Sequence, residues 1–235
     1  MNAHSIRVIL ACKKLSLFVG AADESLEAFG QTSFVQTVPA GTEVVAQDEQ
    51  VQYLYGIASG AVEALATHNG FQTLLYVVPA GRCFAYSCTL IQTPSFASFV
   101  TVERSDLVMI PVAVLRDRLQ RDGSLALAFA RELARATDMA AREILNQKLR
   151  PASERLAGLL LREHAKAPDS NVIAFSLSKR KVALRLGATP ETLSRILASL
   201  KAVGVETDGN RYIIHDIEAL RTFAKPSMTL DPPAW

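Results

Sequence analysis

The 235-residue chain is short of the residues that would commit it to several common tasks. Its three cysteines, Cys12, Cys83 and Cys88, form no Cys-x-x-Cys pair, so they argue for reduced thiols, each most simply a small buried hydrophobe, rather than a disulfide frame. Its four histidines are scattered: His4 is near the start, His68 sits in a turn-like His-Asn-Gly, His164 closes a helical pattern and His215 follows a strand pair. No Gly-x-Ser-x-Gly, His-Glu-x-x-His or phosphate-loop motif occurs, which disfavours an enzyme. No apolar run approaches the roughly 20 residues of a membrane span, and Lys13 and Lys14 interrupt IRVILACKKLSLF in a way a signal-peptide core would not tolerate. A cytoplasmic protein is expected. The net charge of +2 and pI of 8.5 are too mild to assign a partner by themselves.

What is present is local. KRKVALRLGATPETLSRILASL, Lys179 to Leu200, reads as two helices joined by a tight turn. Val182, Ala183 and Leu186 have core spacing in the first helix, and Gly187 suits a left-handed helix end. Thr189 is a good N-cap for the second, Pro190 fits its first position, and Glu191 favours the positive end of the helix dipole. Leu193, Ile196, Leu197 and Leu200 recur at three and four residues and must face a core, leaving Glu191, Ser194 and Arg195 on another face. A helix that enters the DNA major groove reads bases with such groups: arginine pairs with guanine, glutamate accepts from the cytosine amino group, and serine contacts base or phosphate. Lys179, Arg180, Lys181, Arg185 and Lys201, with the hydroxyls of Thr189 and Thr192, are the candidate phosphate contacts. Glu191 is the single acid among six bases between residues 179 and 201.

Upstream the pattern changes. From about Phe34 to Ile110, FVQTV, EVVA, YLYGIASG, AVEALA, TLLYVV, FASFVTV and DLVMI are strand-like and are separated by Pro-Ala-Gly and His-Asn-Gly turns, as in a sandwich or small barrel. A short helix over Asp23 to Phe29 precedes them, capped by Asp23 or the residues before it. Between the β-rich block and the helical pair runs a long helix, about Gly123 to Leu149. Leu127, Ala130, Ala134, Thr137, Ala141 and Ile144 follow the alternating three and four spacing of a coiled-coil seam, with Phe129, Leu133 and Leu145 widening the apolar face. Helix-turn-helix proteins commonly pair on symmetric half-sites, so a homodimer on double-stranded DNA is expected.

Taken together, these parts resemble the Crp/Fnr family of bacterial transcription regulators over nearly the whole chain. YLYGIASGAVE resembles its central strand pair, SKRKVALRLGATPETLSRIL its helix-turn-helix, and VGVETDGNRYIIHDIEALRTFA its wing hairpin, turning at Asp208-Gly209-Asn210, with a closing helix. The resemblance implies an α+β fold: a cyclic-nucleotide-binding-like β-roll (jelly roll) over 1–110, a dimerisation helix and hinge over 111–150, and a winged helix-turn-helix over 151–235. Glu-x-x-Ser-Arg, here Glu191, Ser194 and Arg195, is similar to the Fnr branch, which implies an inverted repeat close to TTGAT-N4-ATCAA. For an activator, RNA polymerase is an implied partner.

The resemblance is less direct about what the roll senses. The family's cyclic-nucleotide motifs fall near Ala85-Tyr86-Ser87 and Phe96-Ala97-Ser98, where the ribose-binding acid and the phosphate-binding arginine are both missing, which argues against cAMP. An iron–sulfur cluster needs four cysteine ligands, and Cys12 stands alone near the N-terminus. Cys83, Phe84, Tyr86, Cys88, Leu90, Phe96 and Phe99 form an apolar, aromatic candidate effector pocket. This stretch looks most like the denitrification regulators of the Fnr branch, which implies nitric oxide sensing through haem; Cys12, Cys83, Cys88 and Tyr86 are then the candidate axial ligands. Three alternatives stay open: these aromatics simply fill the core, the chain binds DNA constitutively with a ligand-free roll, or, remotely, it is an enzyme with a DNA-binding tail.

Overall fold

In a computed structural model, residues 2–174 and 178–231 are described, and they divide into two compact units, Met1–Ala136 and Thr137–Trp235. The first opens with helix α1 (Ala3–Cys12), capped by the Asn2 side chain accepting from the Ser5 amide at 2.8 Å. Helix α2 (Asp23–Thr32) follows. Strands β1 (Phe34–Val38), β2 (Glu43–Val45), β3 (Tyr53–Ser59), β4 (Ala61–His68), β5 (Phe71–Pro79), β6 (Cys83–Phe84), β7 (Ser98–Thr101) and β8 (Ser105–Pro111) form two antiparallel sheets, ordered β1-β8-β3-β6 and β2-β7-β4-β5. Helix α3 (Tyr86–Ile91) interrupts the segment between β6 and β7, and α4 (Val112–Arg121) leads into α5 (Gly123–Leu149).

The alternation of the strands creates two cores. Along β3, Tyr55 and Ile57 face between the sheets with Val62, Ala64, Phe84, Phe99 and Leu107. Leu54 points the other way and, with Val108 and Ile110 of β8, packs against Val8, Cys12, Leu15, Phe29, Leu115, Leu125 and Phe129 from the helices. Gly56 is required where Leu15 meets β3: a Cβ at that position would lie 2.2 Å from Leu15 Cδ1.

Seven strands expected from sequence are found, with shifted ends. Phe71 and Gln72 extend β5, and Phe96 and Ala97 lie outside β7. Helix α2 starts where expected, after the residue preceding Asp23, but runs on to Thr32 and takes its capping acceptor from elsewhere. Its N-cap residue is Ala22, which has no capping side chain, and the acceptor comes from a distant residue: Asp122 Oδ2 takes the Ala22 amide at 2.9 Å and the Ser25 hydroxyl at 2.8 Å. The other oxygen of Asp122 accepts from the Leu125 amide at 3.0 Å, so one buried carboxylate caps α2 and α5. Burial works against its charge, but these donors outweigh burial and hold its carboxyl below the usual carboxylate range. The division between units falls inside α5 because Leu125 and Phe129 are built into the roll's core.

The second unit contains α6 (Ala152–His164), β9 (Val172–Ala174), α7 (Lys179–Arg185), α8 (Pro190–Lys201), β10 (Val205–Asp208), β11 (Arg211–Ile214) and α9 (Ile217–Ala224). Its sheet order is β10-β11-β9. Asp208 pairs with Arg211 across a two-residue turn at which Gly209 takes a φ of +57°, so the expected hairpin and its turn are found. Leu156, Leu160, Val182, Leu193, Leu200, Tyr212, Ile214 and Leu220 are buried among these elements.

Candidate nucleic-acid interface and effector segment

The helical pair is built as its local chemistry dictates. The Ser178 side chain accepts from the Lys181 amide at 3.4 Å and caps α7; Gly187, at φ +61°, turns the chain; Thr189 Oγ1 accepts from the Thr192 amide at 3.2 Å and caps α8, with Pro190 in the first turn. Leu193, Ile196 and Leu200 are buried, which fixes the rotation of α8 about its axis. Glu191, Ser194 and Arg195 are consequently exposed together at spacings of three and four residues.

Two of these side chains are pre-positioned. Ser194 Oγ donates to the Pro190 carbonyl at 3.0 Å, which folds it against the helix, and Arg195 Nη2 donates to Thr192 Oγ1 at 3.3 Å. Hydrogen bonds from its own amide and the Thr189 side chain, with Arg195 nearby, hold the Glu191 carboxyl below its usual range. At neutral pH Glu191 is therefore an anionic acceptor beside a cationic donor. Such a face can accept from a cytosine amino group and donate to the guanine of the same base pair.

Most of the expected phosphate contacts surround it. Lys179, Arg180, Thr189 and Lys201 are exposed, and Lys181 and Thr192 are half-buried. Arg185 is a correction. Its guanidinium is drawn inward, where burial first and then Arg162 lower its pKa while Glu143 and Glu163 oppose them. It lines a small cavity with Asn146, Arg155 and Leu159. Its place on α7 turns it towards α5 and α6, and it is not part of the exposed basic face.

The seam residues of α5, Leu127, Ala130, Ala134, Thr137, Ala141 and Ile144, are all exposed, with Leu127 at 53% and Ile144 at 55%. Phe129 is buried and Leu133 packs partly against the roll's core, leaving the seam as a separate stripe. On the roll-facing side, Glu132 is buried in a polar cluster that sequence reasoning missed. It accepts from Arg82 Nη1 at 2.9 Å, Arg135 Nη1 at 2.8 Å and Ser16 Oγ at 3.3 Å, and it ties the turn before β6 to α5. Glu132 and Arg135, at a spacing of three, were the legible half of this cluster; Arg82 and Ser16 reach it only through the fold.

The seven candidate pocket residues do not converge on one opening. Phe84 and Phe99 stack in the core between the sheets, with ring centroids 4.7 Å apart, and Tyr55 stacks on Phe84 at 5.0 Å. Cys83, Tyr86 and Leu90 belong to the other core, where Tyr86 meets Phe129 edge-on at 5.2 Å. Cys88 is buried beside the Pro94 carbonyl, and Phe96 is half exposed. The reason is strand alternation followed by α3. Cys83 and Phe84, successive residues of β6, point to opposite faces of sheet β1-β8-β3-β6. Helix α3, which sequence reasoning did not resolve, keeps Tyr86 and Leu90 on the helix side, and Phe99 comes from β7 of the other sheet. Ala85 enters α3 at a φ of +66°.

The proposed haem ligands do not fit a haem. Burial pushes the Cys12 thiol up to about 12 and raises the Cys83 thiol and the Tyr86 hydroxyl as well, so each is protonated in the free protein. Cys12, Cys83 and Cys88 are each under 5% exposed in packed surroundings. A cavity of about 330 Å³ lies elsewhere, between α1 and the sheet, lined by Ile6, Arg7, Leu10, Val35 and Asp106 and by none of the four candidate ligands. Among the described residues, no group of three or more His, Cys, Asp and Glu side chains could hold a metal ion, and no helix is long and apolar enough to cross a membrane.

Comparison with known proteins bears on both units. Residues 35–122 match the model of a cyclic nucleotide-binding domain, and residues 154–223 that of a Crp-like helix-turn-helix domain. Over 199 residues the chain is 26% identical to a probable transcriptional activator of Rhizobium leguminosarum bv. viciae, covering 80% of each chain. Over 191 residues it is 29% identical to the cyclic AMP receptor protein of Thermus thermophilus, covering 80% of this chain and 87% of the other. In fold it is similar to the crystal structure of a putative transcriptional regulator of the crp/fnr family from Eubacterium rectale, with a TM-score of 0.75 and 17% identity over 91% of this chain and all of that one. These are domains and relatives of transcription regulators, not enzymes.

Proposed function

As a DNA-binding transcription regulator of the Crp/Fnr family, this chain, we propose, acts as a homodimer that reads an inverted repeat close to TTGAT-N4-ATCAA. The carrying observation is the face of α8, where Glu191, Ser194 and Arg195 stand exposed beside one another while Leu193, Ile196 and Leu200 anchor the helix. Arg195 donates to the guanine and Glu191 accepts from the cytosine of the one G·C pair in each half-site, and Ser194 lies near a thymine. Lys179, Arg180, Lys181, Thr189, Thr192 and Lys201 bind phosphates and set the register. The exposed seam of α5 supports pairing with a second copy, which brings two recognition helices to two half-sites. The name of the Rhizobium relative supports activation, with RNA polymerase as a further partner.

For control, the stack of Tyr55, Phe84 and Phe99 that fills the space between the sheets, with Tyr86 packed on Phe129 of α5, supports a roll that holds the dimer helix in place without a bound effector. An apolar effector, or nitric oxide on a haem, would first have to open that stack. The missing acid and arginine leave a cyclic nucleotide uncompensated. Titrating the protein into the labelled repeat and a scrambled duplex, with and without haemin, nitric oxide or cAMP, tests both halves. Two chains per repeat, selective binding and no effect of the additives are expected. Equal affinity for the scrambled duplex would refute base reading, and a Soret band that shifts with nitric oxide and raises DNA affinity would refute the ligand-free roll.

A further inference from the structure

Beyond α9 the chain turns back on itself. Lys225 ends that helix at a φ of +48°, and residues 225–231 return along the unit that carries the helix-turn-helix. The last turn is compact: the Asp231 amide donates to the Ser227 carbonyl at 2.7 Å, and the Ser227 amide donates to Asp231 Oδ2 at 3.1 Å. Asp231 then makes a two-pronged pair with Arg150, Nη1 to Oδ1 at 3.1 Å and Nη2 to Oδ2 at 2.7 Å, with the side chains 5% and 12% exposed for Arg150 and Asp231. Arg150 Nη2 also donates to the Lys225 carbonyl at 2.6 Å, and Arg162 of α6 lies 3.6 Å from Asp231 Oδ1. Two more grips are independent of Arg150. Arg142 of α5 donates to the carbonyls of Met228 and Thr229, and Lys225 Nζ pairs with Glu154 of α6 at 2.7 Å.

The place of Arg150 gives these contacts their meaning. It is the residue between α5, which ends at Leu149, and Pro151, which precedes the first residue of α6 and cannot continue a helix hydrogen-bond ladder. Its carbonyl accepts from Arg155 Nη1 at 2.9 Å, while Arg155 Nη2 holds the Leu186 carbonyl at the end of α7 at 2.7 Å. The pair lies against α6 at Gly158, where a Cβ would be in ordinary contact with it, 3.6 Å from Asp231 Oδ1 and 3.8 Å from Arg150 Nη1. A two-pronged, nearly closed-off arginine–carboxylate pair is directional, and loss of either partner strands the other charge.

We propose that residues 225–231 are a strap that fixes the bend between α5 and α6, and with it the half-site spacing a dimer accepts. The spacing consequence rests on the dimeric reading above; the bend itself does not. The test uses the full chain with Asp231→Asn, which unbalances the Arg150 pair, and Arg142→Ala, which releases Met228 and Thr229 but keeps that pair and guards against misfolding in the first variant. Hydrogen exchange over 147–156 is followed against that over 193–200, and affinity is measured for duplexes with N3, N4 and N5 spacers and for a single half-site. In both variants, exchange over 147–156 is expected to quicken about tenfold while 193–200 is unchanged. Preference for the N4 spacer is expected to fall about fivefold or more, with half-site affinity within about twofold, because no base or phosphate contact has been removed. Unchanged exchange over 147–156 in the folded Arg142→Ala protein would overturn the strap. Faster exchange with full N4 preference would overturn its control of spacing. If the wild type ignores the repeat altogether, the DNA reading fails, and the exchange comparison still decides the strap.

Discussion

Helix α8 and the segment from Cys83 to Phe99 make an instructive pair. In α8 every functional expectation rests on neighbours in sequence: a cap, a first-turn proline and a three-and-four hydrophobic repeat fix which face is exposed. Glu191, Ser194 and Arg195 accordingly share one exposed face. In the Cys83–Phe99 segment the expectation rested on composition, and its surroundings come from β3, α1 and α5, with α1 more than 70 residues away in the chain. Of the aromatic residues that looked like the lining of a pocket, Phe84, Tyr86 and Phe99 instead fill two cores and Phe96 is half exposed. A solvent-facing functional group can be recognised by what its helix buries, whereas an inward-facing group cannot be assigned to core or pocket until its partners are known.

The largest test of the contrast concerns the seam of α5, which belongs with α8 as an exposed, locally legible face. Ala134→Glu with Ala141→Glu places like charges along the seam and should separate the copies. The affinity for the full repeat should then fall by about 10²–10⁴, to that of a lone half-site, with the fold retained by circular dichroism. Sedimentation showing an unchanged dimer would place the interface elsewhere.

On the other side of the contrast, Phe84→Ala should cost about 3–5 kcal/mol, because it removes the middle ring of a three-ring stack in a closed core. Denaturant unfolding measures this. A loss below about 1 kcal/mol would mean that the space is open and an effector pocket exists after all.

A smaller effect is expected at Asp122, where a cap links the two kinds of information. Asp122→Ala removes acceptors from the Ala22 and Leu125 amides and should cost about 1–3 kcal/mol at pH 7. The carboxyl is held below its ordinary range, so its contribution is complete above its unfolded pKa of about 3.9 and drains away as pH falls through the lower folded value. The stability gap between wild type and variant should therefore close in acid. A gap that is constant with pH would deny the charge its role.

How much was legible varies with the range of the determining contact. The seven strands, the limits of α5, the wing turn at Gly209 and the caps of α7 and α8 all follow from local signals. Asp122, directly before Gly123 and three residues before Leu125, carried a cap signal for α5 in its spacing, but its service to α2 depends on tertiary packing. Arg185 had the right charge and neighbourhood for a phosphate contact, yet its face of α7 turns inward. The links of Arg150 to Asp231 and Arg82 to Glu132 join residues 81 and 50 positions apart, a distance at which no periodicity operates.

The most direct measurement is the affinity of wild type and Arg195→Ala for the repeat and for a repeat in which the G·C pair of each half-site is replaced by A·T, with Lys181→Ala measured alongside across a salt series. Wild type should discriminate by about 1–3 kcal/mol per half-site, Arg195→Ala should lose that discrimination, and Lys181→Ala should keep it while weakening all duplexes alike and lowering the salt slope by about one. Arg195→Ala weakening both duplexes equally, with discrimination intact, would contradict base reading by this face of α8.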